Sequence, residues 1–325
     1  MSSSELEIMD PEVYQKLARR MGEDHLRKRL TRQVEYAAKF YAKGGYASFH
    51  LENVELLPIV LKFSLKVLNL YRRGQQNALD YKVELVRVFV KNLPPEFNGF
   101  QILQLSDLHA DGIPDNGHKL ISTLKQVKAD LCVLTGDFRF LTQDEYAPAL
   151  QRTQEIVRAI EAPHGIWGIL GNHDFIEFVP GLENAGIKML LNESVSIAQN
   201  GVELWLAGID DAHLYACHDI PKAGANIPSN AVKILLSHTP ETYKEAADAG
   251  FDYVICGHTH AGQVCLPGGI PVIVNAGCPR RFCSGYWHYR GLQGYTSRAA
   301  GASGLAVRFF CPPELTIHEL HRDEE

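Results

Sequence analysis

Residues 102–109 read ILQLSDLH, a short, mostly apolar run that stops abruptly at Ser106, Asp107 and His109. The same construction recurs down the chain. LCVL at 131–134 stops at Thr135, Gly136 and Asp137; IWGIL at 166–170 stops at Gly171, Asn172, His173 and Asp174. VKILL at 232–236 stops at Ser237 and His238, and YVIC at 253–256 stops at Gly257, His258, Thr259 and His260. Short apolar runs separated by helical stretches read as strands buried on both faces. Helical patterns fall between several of them, over roughly 117–128, 145–161 and 240–248. The fold class is therefore α/β with covered sheets. VELVRVFV at 83–90 alternates as a half-buried strand until Leu93-Pro94-Pro95 breaks it. Strand-like runs at 202–208 and 304–320 make the sheets mixed.

Ligands of open α/β sheets gather beyond the carboxyl ends of the strands. Five strand ends here deliver Asp107, His109, Asp137, Asn172, His173, His238, His258 and His260 to one region. Asp107 and His109 stand two apart on extended chain, so their side chains point the same way and can grip one ion. The glycines before Asp137, Asn172 and His258 allow sharp turns and close backbone approach. Imidazole and carboxylate together suit manganese, iron or zinc better than calcium or magnesium. Eight such groups are too many for one tetrahedral ion. They suit two ions sharing a carboxylate, an arrangement that clamps a phosphoryl group.

These motifs, SDLH at 106–109, GD at 136–137, GNHD at 171–174, His238 and GHTH at 257–260, resemble the calcineurin-like metallophosphoesterase superfamily. The resemblance runs from about residue 83 to 320. HTHAGQ at 258–263, Leu266-Pro267, SGY at 284–286, TSRAAG at 296–301 and CPPELTIHEL at 311–320 resemble a bacterial branch often tethered to the membrane. The implied fold is a four-layer sandwich, two mixed β-sheets face to face and flanked by helices. The implied ligand sets are Asp107, His109 and His260 for one metal and Asn172, His238 and His258 for the other, bridged by Asp137. The implied cofactors are two divalent transition-metal ions, manganese first and iron or zinc as alternatives. The implied reaction is hydrolysis of a phosphodiester or pyrophosphate by in-line attack of a metal-bound hydroxide. His173 would act as general acid, with Asp174 orienting or supporting it. Phe140 stands where the family often has the last Asp of GDxxD.

The substrate contacts are less legible. Arg298 in TSRAAG is the substrate-binding candidate, because guanidinium suits bidentate phosphate recognition. Arg280 and Arg281 read as surface charge. Tyr286, Trp287 and Tyr289 wall a pocket or pack a strand, and Asp210-Asp211 reads as a turn. One specific alternative is a UDP-2,3-diacylglucosamine pyrophosphatase of the lipid A type; another is a non-catalytic interaction module on the same fold. The complete ligand set with His173 argues against the module. A protein Ser/Thr phosphatase is disfavoured because Phe175 replaces the Glu that follows GNHD there.

Composition bounds the rest. The chain has 325 residues, 46% apolar and 22% charged, as in ordinary globular proteins. A net charge of −6 gives no basic field for nucleic acid. Residues 1–82 carry 14 basic and 10 acidic side chains, against a net −10 in the remainder. This division separates a helical extension (1–82), serving a membrane surface or an oligomer contact, from a catalytic domain (83–325). Asp10 and Pro11 suit a helix start, and residues 24–43 read as a helix ended by Gly44-Gly45. In ELLPIVLKFSLKVLNLYRR (55–73), Lys62, Lys66, Asn69 and Arg73 form one polar stripe beside an apolar surface that includes Leu57 and Ile59. It is either a helix packed on its own protein or a peripheral anchor on an anionic membrane. Seven scattered cysteines without CxxC, an acidic N-terminus and no long apolar run predict a reducing, cytoplasmic setting on the inner membrane face.

Overall fold

The computed structural model of the chain describes residues 9–42, 56–140 and 145–323. The acidic start, the Gly44-Gly45 helix stop, residue 55 and the side chains of Leu57 and Ile59 lie outside the described residues. The chain begins with α1 (Pro11–Met21), α2 (Glu23–Ala42), α3 (Leu56–Val67), α4 (Tyr71–Asn77) and β1 (Lys82–Val90). Next come β2 (Gln101–Leu105), α5 (His118–Leu124), β3 (Leu131–Thr135), α6 (Ala147–Val157), β4 (Ile166–Ile169), α7 (Val179–Asn184) and β5 (Ile187–Met189). They are followed by β6 (Glu193–Gln199), β7 (Val202–Gly208), α8 (Ile220–Gly224), β8 (Lys233–Leu236), α9 (Tyr243–Asp248) and β9 (Tyr253–Cys256). A hairpin of β10 (Cys265–Leu266) and β11 (Ile270–Pro271) precedes β12 (Gly285–Tyr289), β13 (Leu292–Thr296) and β14 (Glu314–Arg322).

Among the described residues the strands form two six-stranded sheets, ordered β1-β14-β2-β3-β4-β5 and β12-β13-β9-β8-β7-β6. Both are mixed. β2 through β5 run parallel while β14 is antiparallel to β2; β7, β8, β9 and β13 run parallel while β6 and β12 are antiparallel to their neighbours. The sheets share one core, built from Val88, Ile102, Leu131, Val133, Leu204, Leu206, Ile234 and Ile255 among others. Leu120, Ile156, Phe178 and Leu182 cover the outer face of the first sheet, and Ile220, Ala223 and Ala246 that of the second. Burial on both faces is why β3 and β9 are continuous apolar runs. The run read over 304–320 becomes strand only at Glu314, since Pro312 and Pro313 have no N–H for a ladder.

α1 packs against this sandwich together with the start of α2, as does part of α3. Asp10 caps α1, accepting from Glu12 N at 2.8 Å, and Leu17, Met21 and Leu26 enter the outer core of the first sheet. The 55–73 segment is not one helix. Asn69 adopts φ 56°, a left-handed turn that Asn tolerates, and places Arg73 on α4 instead of the α3 stripe. Leu61 and Leu65 pack toward Leu305 and Val307, while Phe63 and Val67 stay 68% and 64% exposed. One face of α3 is therefore packed internally, as the packed-helix reading has it, and another apolar face is open.

A chain of polar groups crosses the inter-sheet core. Tyr253 OH donates to His318 Nδ1 at 2.8 Å, and His318 Nε2–H donates to Gln104 Oε1 at 3.1 Å. Gln104 Nε2 donates to Cys256 O at 2.8 Å and to Thr135 Oγ1 at 3.0 Å. Thr135 donates to Ser106 Oγ at 2.7 Å, and Ser106 donates to Asp107. Burial pushes His318 down to about 3, so the ring is neutral and one tautomer satisfies the whole chain. A buried network is costly once broken, because each orphaned group loses about 1–3 kcal/mol. Gln104→Leu orphans three neighbours and should lower stability by about 2–4 kcal/mol in urea unfolding. Tyr253→Phe should cost about 1 kcal/mol; the reverse ranking would refute the directionality.

Candidate metal centre

The carboxyl ends of β2, β3 and β4 in one sheet and of β8 and β9 in the other meet at one edge of the sandwich. The loops that follow them pass unusually close. A Cβ on Gly136 would meet the Gly171 backbone at 2.5 Å, and one on Gly257 would collide with Ser106 and Asp107. Asp107, His109, Asp137, His258 and His260 all have positive φ, between 41° and 70°. Such conformations cost about 1 kcal/mol or more each for residues with a Cβ and persist where the surroundings over-determine them. Strain is thus concentrated on the residues that carry the donors.

The donors converge. His109 Nε2 lies 3.2 Å from His260 Nε2, and His260 Nε2 lies 3.5 Å from Asp107 Oδ1. His238 Nε2 lies 2.9 Å from Asn172 Oδ1 and 3.4 Å from Asp137 Oδ2, which is 3.9 Å from His109 Nε2. Ligand atoms sharing an ion at about 2.0–2.2 Å stand about 3 Å apart, so the donor set fits cations of this kind. Three overlapping groups result: Asp107, His109 and His260; His109, Asp137 and His173; Asp137, His238 and His258. Asp137 belongs to two of them. The rings are oriented from behind. His109 Nδ1–H donates to Arg139 O at 2.5 Å and His238 Nδ1 faces Thr135 O at 2.7 Å, leaving each Nε2 turned inward.

His173 stands at the mouth of this cluster. Its Nδ1–H donates to Phe140 O at 3.0 Å, its Nε2 lies 3.8 Å from Asp137 Oδ2, and its backbone N–H donates to Asp137 Oδ1 at 2.8 Å. Phe140 therefore contributes its carbonyl where a side-chain carboxylate was anticipated. Asp174 does not reach the His173 ring. Its two oxygens accept from the backbone N–H groups of Asp137, Phe138 and Gly171 at 2.8–2.9 Å, fastening the β3 and β4 loops together. Arg298 is also placed otherwise than expected. Its guanidinium pairs with Glu84 at 2.5 Å and Glu314 at 2.8 Å, so its charge is committed within the fold rather than offered to a phosphate. Arg280 and Arg281 are exposed, and Trp287 is buried, donating to Thr296 Oγ1 at 3.0 Å.

Three residues at the site escaped sequence reading. His213 lies with its ring 4.2 Å from that of His258 and its Nδ1 3.1 Å from Glu241. Arg308, fully buried, reaches His260 Nδ1 at 3.4 Å and holds the carbonyls of Gly301 and Arg298. Arg29, from α2, lies 3.6 Å over the Tyr215 ring, donates to Asp174 O at 2.8 Å and pairs with Asp210 at 3.2 Å. Burial alone would raise the Asp210 carboxyl, but Arg29 outweighs it and holds it below the usual range. Asp211 makes the anticipated turn, accepting from Leu214 N at 2.7 Å.

Protonation in the metal-free protein follows from burial and charge. Burial holds His258 and His260 toward the neutral form and pushes His109 down to about 3, the form in which imidazole ligates metals. Burial also pushes Asp107 up to about 7. Against the cost of burial, His238 holds Asp137 well below the usual carboxylate range, and Asp137 in turn holds His238 well above the usual imidazole range. A cation must then displace protons from Asp107 below about pH 7 and from His238 over a wider range. Metal affinity should weaken as pH falls, and calorimetry in buffers of different ionisation enthalpy should detect proton release on binding. Affinity that is flat between about pH 6 and pH 8 contradicts these assignments.

A sequence model of the calcineurin-like phosphoesterase family matches residues 100–262, half of the chain. The chain is 26% identical over 257 residues to the uncharacterized metallophosphoesterase YkoQ of Bacillus subtilis, covering 76% of this chain and 93% of that protein. It is 28% identical to the phosphodiesterase YaeI of Escherichia coli, over 68% of this chain and 82% of that one. A transmembrane protein with a metallophosphoesterase domain from Danio rerio is 29% identical over 72% of this chain and 56% of its own length. Matched strand ends and converged donors agree: the chain belongs to the calcineurin-like phosphoesterase family and is a metal-dependent hydrolase of phosphoric ester or anhydride bonds.

Proposed function

We propose that the protein hydrolyses a phosphodiester or pyrophosphate with two divalent transition-metal ions, manganese foremost. Asp107, His109 and His260 would hold one, Asn172, His238 and His258 the other, and Asp137 both. The observation that carries this reading is the membership of Asp137 in two converging donor groups, one with His109 and His173 and one with His238 and His258. Bound cations would supply neutralisation of the phosphoryl charge and activation of water at neutral pH. The protein's own part is orientation and proton transfer. With Nδ1–H committed to the Phe140 carbonyl, His173 presents Nε2 to the site, and as imidazolium it hands that proton to the leaving oxygen. Asp174 serves indirectly, by holding the loops that set Asp137 and His173 in register. The name of the Escherichia coli relative, a phosphodiesterase, favours a diester.

The enzyme works at an anionic membrane surface in this reading. No described helix is long and apolar enough to cross a membrane. Support comes from α3, where exposed Val60, Phe63 and Val67 stand beside exposed Lys62 and Lys66.

Three outcomes are expected. Asp137→Asn should bind less than two equivalents of metal in elemental analysis, because a neutral amide joins two cations poorly. His173→Asn should retain its metals and lose about 10²–10⁴-fold in kcat on a diester with an alkoxide leaving group, and less with p-nitrophenolate. Equal losses on both would remove the acid role. Co-sedimentation with anionic vesicles should weaken with salt and with Lys62→Glu plus Lys66→Glu, each lysine contributing about 1 kcal/mol; no binding at low salt by the native chain ends the membrane reading.

A further inference from the structure

A cavity of about 340 Å³ opens from the metal centre, lined at one end by Asp137, His173, His258 and His260 and at the other by Leu61 and Leu305. Val264, Val272 and Ile273 add apolar wall, beside the polar Thr259, Gln263, Asn275 and Ser303. Leu61 belongs to α3, so the helix read as a surface anchor is also a wall of the reaction chamber. Both α3 and the β10–β11 hairpin also carry exposed apolar side chains. Phe63 and Val67 stand on the open face of α3, turned away from Leu61, and Leu266 and Ile270 pair in the β10–β11 hairpin just before Val272, all four exposed.

Two polar side chains of the cavity wall, Gln263 and Thr259, are turned to internal tasks. Gln263 Nε2 donates to Ser303 O at 3.0 Å and Leu305 O at 2.9 Å, and its Oε1 accepts from Ser303 N at 2.7 Å. Thr259 donates to Cys283 O at 2.6 Å and accepts from Ala261 N at 3.2 Å. A sugar or base in this arm would have to strip its hydration against leucine, valine and isoleucine with few groups to replace it. A hydrocarbon chain gains from the same surface. Lys62 and Lys66 flank the open face of α3, where an anionic interface would lie.

We infer that the substrate is an amphiphile, a phosphoester whose phosphorus sits at the metal centre and whose hydrocarbon chain occupies the groove between α3 and the β10–β11 hairpin. This rests on the phosphoester hydrolysis proposed above and names the class of substrate. The chain leads outward past α3, whose other face exposes Phe63 and Val67 to a lipid surface, so a molecule anchored in a bilayer reaches the metals without leaving that surface entirely. The helix that docks the enzyme and the helix that admits the chain are the same element.

The test uses the full-length, metal-loaded protein and linear alkylphosphonates from methyl to octyl, below their micellar concentrations. Calorimetric Kd should tighten by about fourfold per methylene until the groove is filled. Leu61→Gln and Ile273→Gln, on opposite walls, should each flatten that dependence; a slope is read within one protein, so a general loss of competent molecules does not imitate the effect. In parallel, kcat/KM for p-nitrophenyl octyl phosphate should exceed that for p-nitrophenyl methyl phosphate in the native chain. A flat series in the native protein, or an undiminished slope in both variants, overturns the inference. Turnover of the methyl ester with flat phosphonate binding overturns it alone and leaves diester hydrolysis standing. Steep phosphonate binding without turnover of any ester supports the groove and removes the proposed reaction. A flat series with concentration-dependent sedimentation assigns the apolar face to a second copy of the chain and also overturns it.

Discussion

One buried carboxylate sets the terms for this site. Asp137 is almost wholly out of water, and an isolated negative charge there would be prohibitively costly. It is compensated on every side: by the His173 backbone N–H, by His238 and by the neighbouring imidazoles. Two cations would complete that compensation, which is why the same residue both demands positive charge and places it. The surrounding loops are organised to hold it. Asp174 fastens the β3 loop to the β4 loop, and Gly136 lets those loops touch.

The strain that this requires is anchored from two directions. From the core, Tyr253, His318, Gln104, Thr135 and Ser106 form a directed chain ending on Asp107. Such a network adds little net stability over apolar packing, but it admits only one arrangement of its members. From the outside, Arg29 on α2 grips the Asp174 carbonyl and Asp210 together. Its charge is buried and fully partnered, so α2 is held to the catalytic loop by groups that cannot be released cheaply. The first helices are thus structural parts of the site rather than a detached appendage.

The mouth of the site is built differently. There the contacts are apolar and one-sided: Leu61 and Leu65 pack inward while Phe63 and Val67 remain open. Rigid polar networks hold the reacting groups, and a helix with a divided apolar surface frames the entrance. That contrast suits the two tasks proposed above. Phosphoryl transfer demands fixed charges, whereas admitting a hydrocarbon chain demands only apolar area without competing hydrogen bonds.

The strands and their terminal motifs were legible because apolar periodicity and glycine act locally. ILQL before Ser106-Asp107 or YVIC before Gly257-His258 carries its meaning within a few residues, and the ligand types suffice to say metal. What the sequence by itself determined was the α/β class, the donors and the chemistry they permit. Other features needed partners far apart in the chain. Arg29 meets Asp174 across 145 positions, and Arg298 meets Glu84 across 214. Neither pairing leaves a local signature, so Arg298 looked available for phosphate and Arg29 drew no reading at all. The division of α3 into a packed face and an open one was likewise invisible, since its helical pattern is apolar on most sides. Only the tertiary structure decided these points, because the energy of a buried charge or an apolar face depends on what the fold brings against it.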